Sequence, residues 1–235
     1  SDLTPGLANK LSMPSATKVC CNFPETIPYL PKGKAVLTGC PIRQELRQGS
    51  KASALAMTGF NEEKPVLMVM GGSLGAVAVN NAVRDALPEL LKQFQIVHLC
   101  GKGKLDESLV GTPGYVQYEY IQDELASLFA LCDVVVSRAG ANAICELLAL
   151  RKPALLIPLS AKASRGDQIL NARSFERQGF SMVLEEETLT KENFLSAVRH
   201  LYEHRSDYIR AMEECPQSDA IETIMKLFHE VTSGR

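Results

Sequence analysis

"VLMVMGGSLGAVAVNNAVRDAL", Val66 to Leu87, is the stretch on which the fold turns. The apolar run Val66–Met70 leads directly into Gly71-Gly72-Ser73-Leu74-Gly75, and small and apolar residues at helical spacing follow at once. A strand, a tight turn and a helix in that order present backbone N–H groups to a phosphate. Glycines at 71, 72 and 75 permit positive φ and let an anion approach the main chain with no Cβ in the way. Ser73 adds a hydroxyl donor, and a helix starting near Leu74 brings the positive end of its dipole. The bland alternative is a tight strand-to-helix turn that holds no ligand.

The same grammar repeats along the chain. Strand-like runs are "TKVCCNF", "KAVLTG", "PVLMVM", "QIVHLC", "YVQYEYI", "DVVVSRAG", "PALLIPL" and "FSMVLEE". Amphipathic helical stretches lie between the later ones, over Asn80–Gln93, Asp123–Leu131, Ala141–Leu150 and Asp167–Gln178. From Val66 onward strand and helix alternate, and several strands are apolar throughout, which predicts a parallel sheet covered on both faces. The fold class is therefore α/β, a Rossmann-like doubly wound sheet. Ligands in such sheets bind at the carboxyl ends of the strands, which directs attention to the loops after Met70, Cys100, Ile121, Val136 and Leu159. Upstream, "RQELRQGSKASALAM" is polar and helix-compatible, "TGCPIR" reads as a turn, and a domain boundary is expected near residues 39–45. Further helices are expected over Lys191–His204, Ser206–Glu214 and Ala220–Val231.

With 46% hydrophobic residues among 235, the chain can bury a substantial core. A net charge of -2, with no basic block interleaved with aromatics, argues against nucleic acid as a partner. No apolar run approaches the ~20 residues that span a bilayer and no signal peptide opens the chain, so a cytoplasmic location is expected. The seven cysteines are odd in number, lack a CxxC pair and mostly sit in apolar runs, as Cys100, Cys132 and Cys145 do. They read as buried reduced thiols rather than disulfides or a zinc site. The chain opens on Ser1-Asp2-Leu3 and enters helix-like "PGLANKL" almost at once, so it is expected to be a piece of a longer protein.

Whose phosphate the first loop would hold can be tested against its neighbours. A dinucleotide fold wants an acid at the end of the next strand, about 20 residues after the glycines, for the ribose diol. Here that strand ends His98-Leu99-Cys100-Gly101, which speaks against NAD and FAD. A P-loop fails as well: there is no GxxxxGK[ST], and the "GKGK" of 101–104 has the wrong spacing. The second loop, in "DVVVSRAGANAICELLALRKPALLIP", ends a strand at Ser137-Arg138-Ala139-Gly140 and opens a helix carrying Glu146 one turn beyond Asn142. Gly140 allows close approach, and an acid amid apolar residues needs partners. A vicinal diol would serve, because a carboxylate accepts two hydrogen bonds; a salt bridge to Arg138 or Arg151 is the alternative.

These loops, with "LANKL" (7–11), "GCPIR" (39–43), "GGSLGA" (71–76), "HLCGKG" (98–103), "SRAGANAICE" (137–146) and "RGDQILNA" (165–172) in that order, are similar to the MurG-type N-acetylglucosaminyltransferases over essentially the whole chain. Each stretch alone is weak; together and in order they are specific. The resemblance implies two Rossmann-like domains of the GT-B type facing across a cleft, one holding a lipid-linked acceptor and the membrane-facing surface, the other UDP-N-acetylglucosamine. Residues 1–42 would be the remnant of the acceptor-binding domain, 43–219 the UDP-sugar donor-binding domain, and 220–235 a C-terminal helix returning to the acceptor domain.

By the same resemblance the phosphates belong to UDP. Gly72, Ser73, Gly75 and the loop's N–H groups would contact the diphosphate, with Arg43 adding a cation. Arg43 in a boundary salt bridge is the alternative. Main chain near Ile121 would read the uracil edge with Tyr120 close by, Gly140 would line the second loop, and Glu146 would take the ribose hydroxyls. Asp167 and Gln168 would meet the sugar. The chain departs from the family's pattern where two consecutive glutamines are replaced by Asp167-Gln168 and a threonine by Ala143.

The implied enzyme is an inverting hexosyltransferase acting in peptidoglycan synthesis on undecaprenyl-pyrophosphoryl-N-acetylmuramoyl-pentapeptide, at the cytoplasmic face of the membrane. Its acceptor-side base would precede residue 1, so this chain alone would not transfer sugar. No DxD pair is present, so neither a metal nor another cofactor is implied. "HLYEH", His200 to His204, matches the HxxEH of inverted zinc peptidases, but it falls in a polar helix whose solvated face accounts for both histidines. Other UDP-sugar enzymes of this fold, such as a glycolipid synthase or a UDP-N-acetylglucosamine 2-epimerase, and a non-catalytic nucleotide-sugar binding module remain alternatives.

Overall fold

The computed structural model describes residues 2–72, 74–163, 166–215 and 220–233. Helix α1 (Leu7–Ser12) leads to β1 (Val19–Cys21) and β2 (Ala35–Leu37), which pair in parallel as a separate small sheet. Then follow α2 (Lys51–Thr58), β3 (Val66–Met70), α3 (Val77–Leu90), β4 (Gln95–Leu99), β5 (Tyr115–Tyr118), α4 (Leu125–Leu131) and β6 (Val134–Ser137). The chain continues through α5 (Ala141–Ala149), β7 (Ala154–Leu156), α6 (Asp167–Arg177), β8 (Ser181–Val183), α7 (Lys191–Glu203), α8 (Arg205–Glu214) and α9 (Ala220–Ser233).

Strands β3 to β8 form one six-stranded parallel sheet in the order β5-β4-β3-β6-β7-β8. The chain therefore winds one way from β3 through β4 to β5, then crosses back to the other flank of β3 and winds the opposite way. This reversal opens a crevice between the carboxyl ends of β3 and β6, where Met70 stands opposite Ser137.

Successive residues of each strand face opposite layers. Met68, Val135 and Leu156 enter the core beneath α2, α4, α5 and α6, whereas Leu67, Val69, Val136 and Leu155 enter the core beneath α3 and α7. Burial on both faces is why these strands are apolar without alternation. Strand β7 is shorter than its apolar run suggests, because the flanking Pro153 and Pro158 have no N–H for a ladder. Strand β5 likewise stops at Tyr118, leaving Tyr120 and Ile121 beyond its end.

The amino-terminal segment is tied into the core of the six-stranded sheet. Leu3 and Phe23 are buried in the core that contains α6, and Phe23 meets Phe175 edge-on with ring centroids 6.2 Å apart. The small sheet has its own cluster of Met13, Cys21 and Leu30. Cys100, Cys132 and Cys145 are buried free thiols, and burial pushes Cys132 up to about 11. Among the described residues no helix is long and apolar enough to cross a membrane.

One polar chain runs through the sheet. His98 on β4 is fully buried, with Nδ1 2.8 Å from the Tyr115 hydroxyl and Nε2 3.0 Å from Asn80 Oδ1. Asn80 Nδ2 is already spent as a donor to Cys100 O at 2.8 Å. Its Oδ1 must therefore accept from Nε2–H, and Nδ1 accepts from Tyr115. Burial, helped by the charge of Arg84, pushes His98 down from 6.5 to about 3. The unfolded chain thus binds a proton below pH 6.5 that the native state refuses. Stability contributed by neutral His98 is complete above pH 6.5 and falls by roughly 1.4 kcal/mol per pH unit as pH drops toward 3. Urea denaturation between pH 7.5 and 4.5 should show this slope, and His98→Gln should flatten it by about one proton; equal slopes in the two proteins would refute the assignment.

Candidate functional site

The first wall of the crevice is the loop that leaves β3. Gly72 and Gly75 have φ of +80° and +68°, and the Gly75 N–H donates to Gly72 O at 2.9 Å to close a turn. A right-handed helix cannot run through such residues, so α3 begins at Val77 rather than near Leu74 or at Asn80, as the sequence suggested. Its N-cap residue, Ala76, supplies no side-chain hydrogen bond, so the N–H groups of the first turn have no side-chain acceptor at the cap. The neighbouring loop presses against this one. A Cβ on Gly75 would stand 2.0 Å from Cys100 O, and one on Gly101 would stand 2.4 Å from Gly75 Cα. Lys104 Nζ donates to Leu74 O at 2.6 Å and to Gly75 O at 3.1 Å. Ser73, the expected hydroxyl donor, lies outside the described residues.

The second wall is the turn from β6 into α5. Gly140 is the N-cap of α5, and a Cβ built there meets nothing within 4 Å, so the position opens onto free space. Arg138 does not face this space: its guanidinium pairs with Glu186 and donates to Ile157 O and Pro158 O, both at 3.1 Å, binding the exit of β7. Gln168 Oε1 accepts from Leu159 N at 3.0 Å and Ala139 N at 3.3 Å. The acceptor oxygen of Gln168 thus joins the loops after β6 and β7, leaving its amide NH2 as the group to offer a ligand. Asp167 Oδ1 accepts from the Thr4 hydroxyl at 3.0 Å.

Two candidates from distant parts of the chain meet directly. Arg43 and Glu146 form an ion pair at 3.4 Å, with the carboxylate side chain only 19% exposed and the guanidinium 54% exposed. Glu146 therefore has a protein partner, but neither of the arginines expected from the sequence. Arg138 is held by Glu186, and Arg151, past the far end of α5, pairs with Glu213 at 3.3 Å. The segment before α2 reaches the α5 face bearing Asn142 and Glu146 instead: besides the Arg43 pair, the Cys40 thiol lies 3.9 Å from Asn142 Oδ1, and Asn142 stays exposed. Burial raises the Glu146 pKa while Arg43 opposes that rise. Tyr120 is exposed and Ile121 is half-buried against the core, and among the described residues no hydrogen bond or ion pair joins them to the other candidates.

Other features carry less chemistry. A cavity of about 480 Å³ lined by Lys64, Asp133, Arg151, Lys152 and Tyr202 lies at the amino edge of the sheet, away from the crevice. Topology rather than cavity size decides between the two edges. His200 and His204 stack with ring centroids 4.1 Å apart, and His204 Nδ1 is 3.0 Å from His200 O, which engages one ring nitrogen with the backbone. Lys104, Asn80 and Thr4 escaped the sequence reading as site residues. "GKGK" was weighed there as a failed P-loop and, through Gly103, as part of "HLCGKG", but its second lysine is the one that reaches the glycine loop.

A doubly wound parallel sheet with a glycine loop, an uncapped helix start and a half-buried acid at its switch crevice defines the Rossmann-like α/β class. Residues 66–228 match the glycosyltransferase family 28 C-terminal domain, and the chain belongs to that family. It is 64% identical over 98% of its length to a protein of Lachnospira eligens named UDP-N-acetylglucosamine--N-acetylmuramyl-(pentapeptide) pyrophosphoryl-undecaprenol N-acetylglucosamine transferase. A protein of the same name from Lachnoclostridium phytofermentans is 62% identical, also over 98% of the chain. The chain spans 65% of the length of each of these relatives. Among solved structures, MurG of Acinetobacter baumannii superposes with a TM-score of 0.73 at 22% identity, covering 97% of this chain and 65% of that one. The calicheamicin glycosyltransferase CalG4 gives 0.62 at 16% identity, covering 92% and 52%. The fold is that of the second half of a GT-B glycosyltransferase.

The glycine contacts make a prediction that needs no ligand. Gly72→Ala meets open space and should cost roughly 1–2 kcal/mol for its left-handed backbone alone. Gly75→Ala carries the same strain and also collides with Cys100 O, so its loss in urea denaturation should be clearly larger. Equal losses would show that the contact with the β4 loop does not demand glycine.

Proposed function

We propose that this chain is the donor-binding part of an inverting hexosyltransferase of peptidoglycan synthesis. It would serve the transfer of N-acetylglucosamine from UDP-N-acetylglucosamine to undecaprenyl-pyrophosphoryl-N-acetylmuramoyl-pentapeptide. The high identity to relatives bearing that name supports the reading. The observation that carries it is the crevice itself. The uncapped start of α3 behind Gly71–Gly75 provides for a diphosphate, and the half-buried Glu146 with Arg43 provides for the adjoining ribose.

In this reading the N–H groups of Gly72 and of Ala76 at the start of α3, with the Ser73 hydroxyl, hold the diphosphate, and Gly75 closes the turn beside it. The Arg43–Glu146 pair, long and half-exposed, opens as donor enters: Arg43 turns to the phosphates, and Glu146 exchanges one cationic partner for two diol hydroxyls. Main chain at Ile121 reads uracil beside Tyr120, Gly140 lines the second loop, and Asp167 and the amide NH2 of Gln168 meet the sugar. As the acceptor hydroxyl attacks the anomeric carbon and the bond to UDP breaks, negative charge grows on the β-phosphate. The α3 N-terminus, the loop and Arg43 are placed to stabilise it. The base that takes the hydroxyl proton belongs to the acceptor domain. Residues 1–42 bridge to that domain, 43–219 bind the donor, and α9 returns to it, a role supported by the exposed Ile221, Met225 and Phe228. The whole enzyme works at the cytoplasmic face of the membrane.

Calorimetric titration tests this directly. UDP-N-acetylglucosamine and UDP should bind, NADH should not, and UDP-N-acetylgalactosamine reports on what Asp167 does to sugar choice. Glu146→Ala should weaken UDP by roughly 1–3 kcal/mol and abolish discrimination against 2'-deoxyuridine diphosphate. Tight NADH binding with no response to UDP would overturn the reading, and a variant that still discriminates would make Glu146 structural.

A further inference from the structure

We propose that Lys104 is a positioning residue for the diphosphate loop, a role that rests on the nucleotide reading above and extends it to a residue outside the binding set. Its ammonium donates to two consecutive carbonyls of the loop, Leu74 O at 2.6 Å and Gly75 O at 3.1 Å. A trans peptide points its C=O and N–H in opposite directions. Drawing the Gly75 carbonyl toward Lys104 therefore turns the Ala76 N–H, at the start of α3, to the other side of the loop. The preceding N–H, that of Gly75, is already spent on Gly72 O. One lysine thus fixes which side of this turn is positive, and its own charge lies behind the loop rather than in contact with the ligand.

The lysine is itself held in place. Its carbonyl accepts from Arg84 NH2 of α3 at 2.6 Å, and its N–H donates to Gly101 O at 3.1 Å. Next to it, Gly103 N–H donates to Glu119 at 2.7 Å, and Gln117 exchanges hydrogen bonds with the backbone of Asp106. The result is a closed circuit from α3 through Arg84 to the Lys104 backbone, along its side chain, and back to the loop that starts α3. A lysine that merely covered the surface would not be braced at both ends.

The test uses the 235-residue protein and three variants, each titrated with UDP and with uridine. Wild type should prefer UDP. Lys104→Met, which keeps the stem and removes charge and donors, should weaken UDP about tenfold, the scale of losing hydrogen bonds to a charged group, and leave uridine unchanged. Lys104→Arg should recover most of the loss. Should the Met variant fail to fold, Lys104→Leu, likewise without charge or donors, makes the same comparison. A neutral variant that binds UDP as wild type does would overturn the proposal, and so would one that weakens UDP and uridine alike, since that is the mark of general support. A wild-type protein with no preference for UDP over uridine would instead overturn the diphosphate reading, and this role with it.

Discussion

Strand β3 is hydrogen-bonded along both edges, to β4 through Val66–Met70 and to β6 through Leu67–Met70. That double pairing is the constraint on which the rest depends. A strand flanked on both sides in a parallel sheet has no backbone group left for solvent, so it must be apolar on both faces and covered by helices on each. It must also end where the winding reverses, because the chain can add strands to only one flank at a time. The crevice is thus a by-product of topology: any loop leaving β3 emerges between two others that diverge.

That much could be read from the sequence, because it depends on local pattern. Apolar runs of strand length, glycines at their carboxyl ends and amphipathic spacing between them are signals within a window of about a dozen residues. All eight strands among the described residues fall inside the runs expected of them. The errors lie at ends. Helix α3 starts at Val77 because two left-handed glycines precede it, and β7 is cut short by prolines on either side.

Within the site, residue types were legible and partnerships were not. Glu146 announced itself as an acid in an apolar helix, but its partner is 103 positions away in Arg43, and no local pattern carries such a pairing. Both nearer arginines are diverted, Arg138 to Glu186 and Arg151 to Glu213. Lys104 is the converse case. Its neighbourhood was noticed, but its action lies across the crevice edge on a loop 30 residues earlier, brought close by the contact of Gly75 with Gly101 and by Arg84 of α3, which holds the Lys104 carbonyl.

The amino-terminal segment offers a different kind of consequence. Leu3 N–H is held by Asn171 Oδ1 at 3.2 Å, Asp2 by Asn171 Nδ2 at 3.3 Å, and Thr4 by Asp167 Oδ1 at 3.0 Å, while Leu3 O accepts from Thr26 at 2.8 Å. Asn171 in turn donates to Ala139 O at 3.1 Å, inside the second loop. Three consecutive residues are thus stitched to the first turn and a half of α6, and through it to the turn that opens α5. Tension along this segment acts on Asp167 and Ala139 without passing through the sheet. One lip of the crevice is thus on a tether that bypasses the strand layer, which makes residues 2–4 a direct mechanical route to the loop that opens α5.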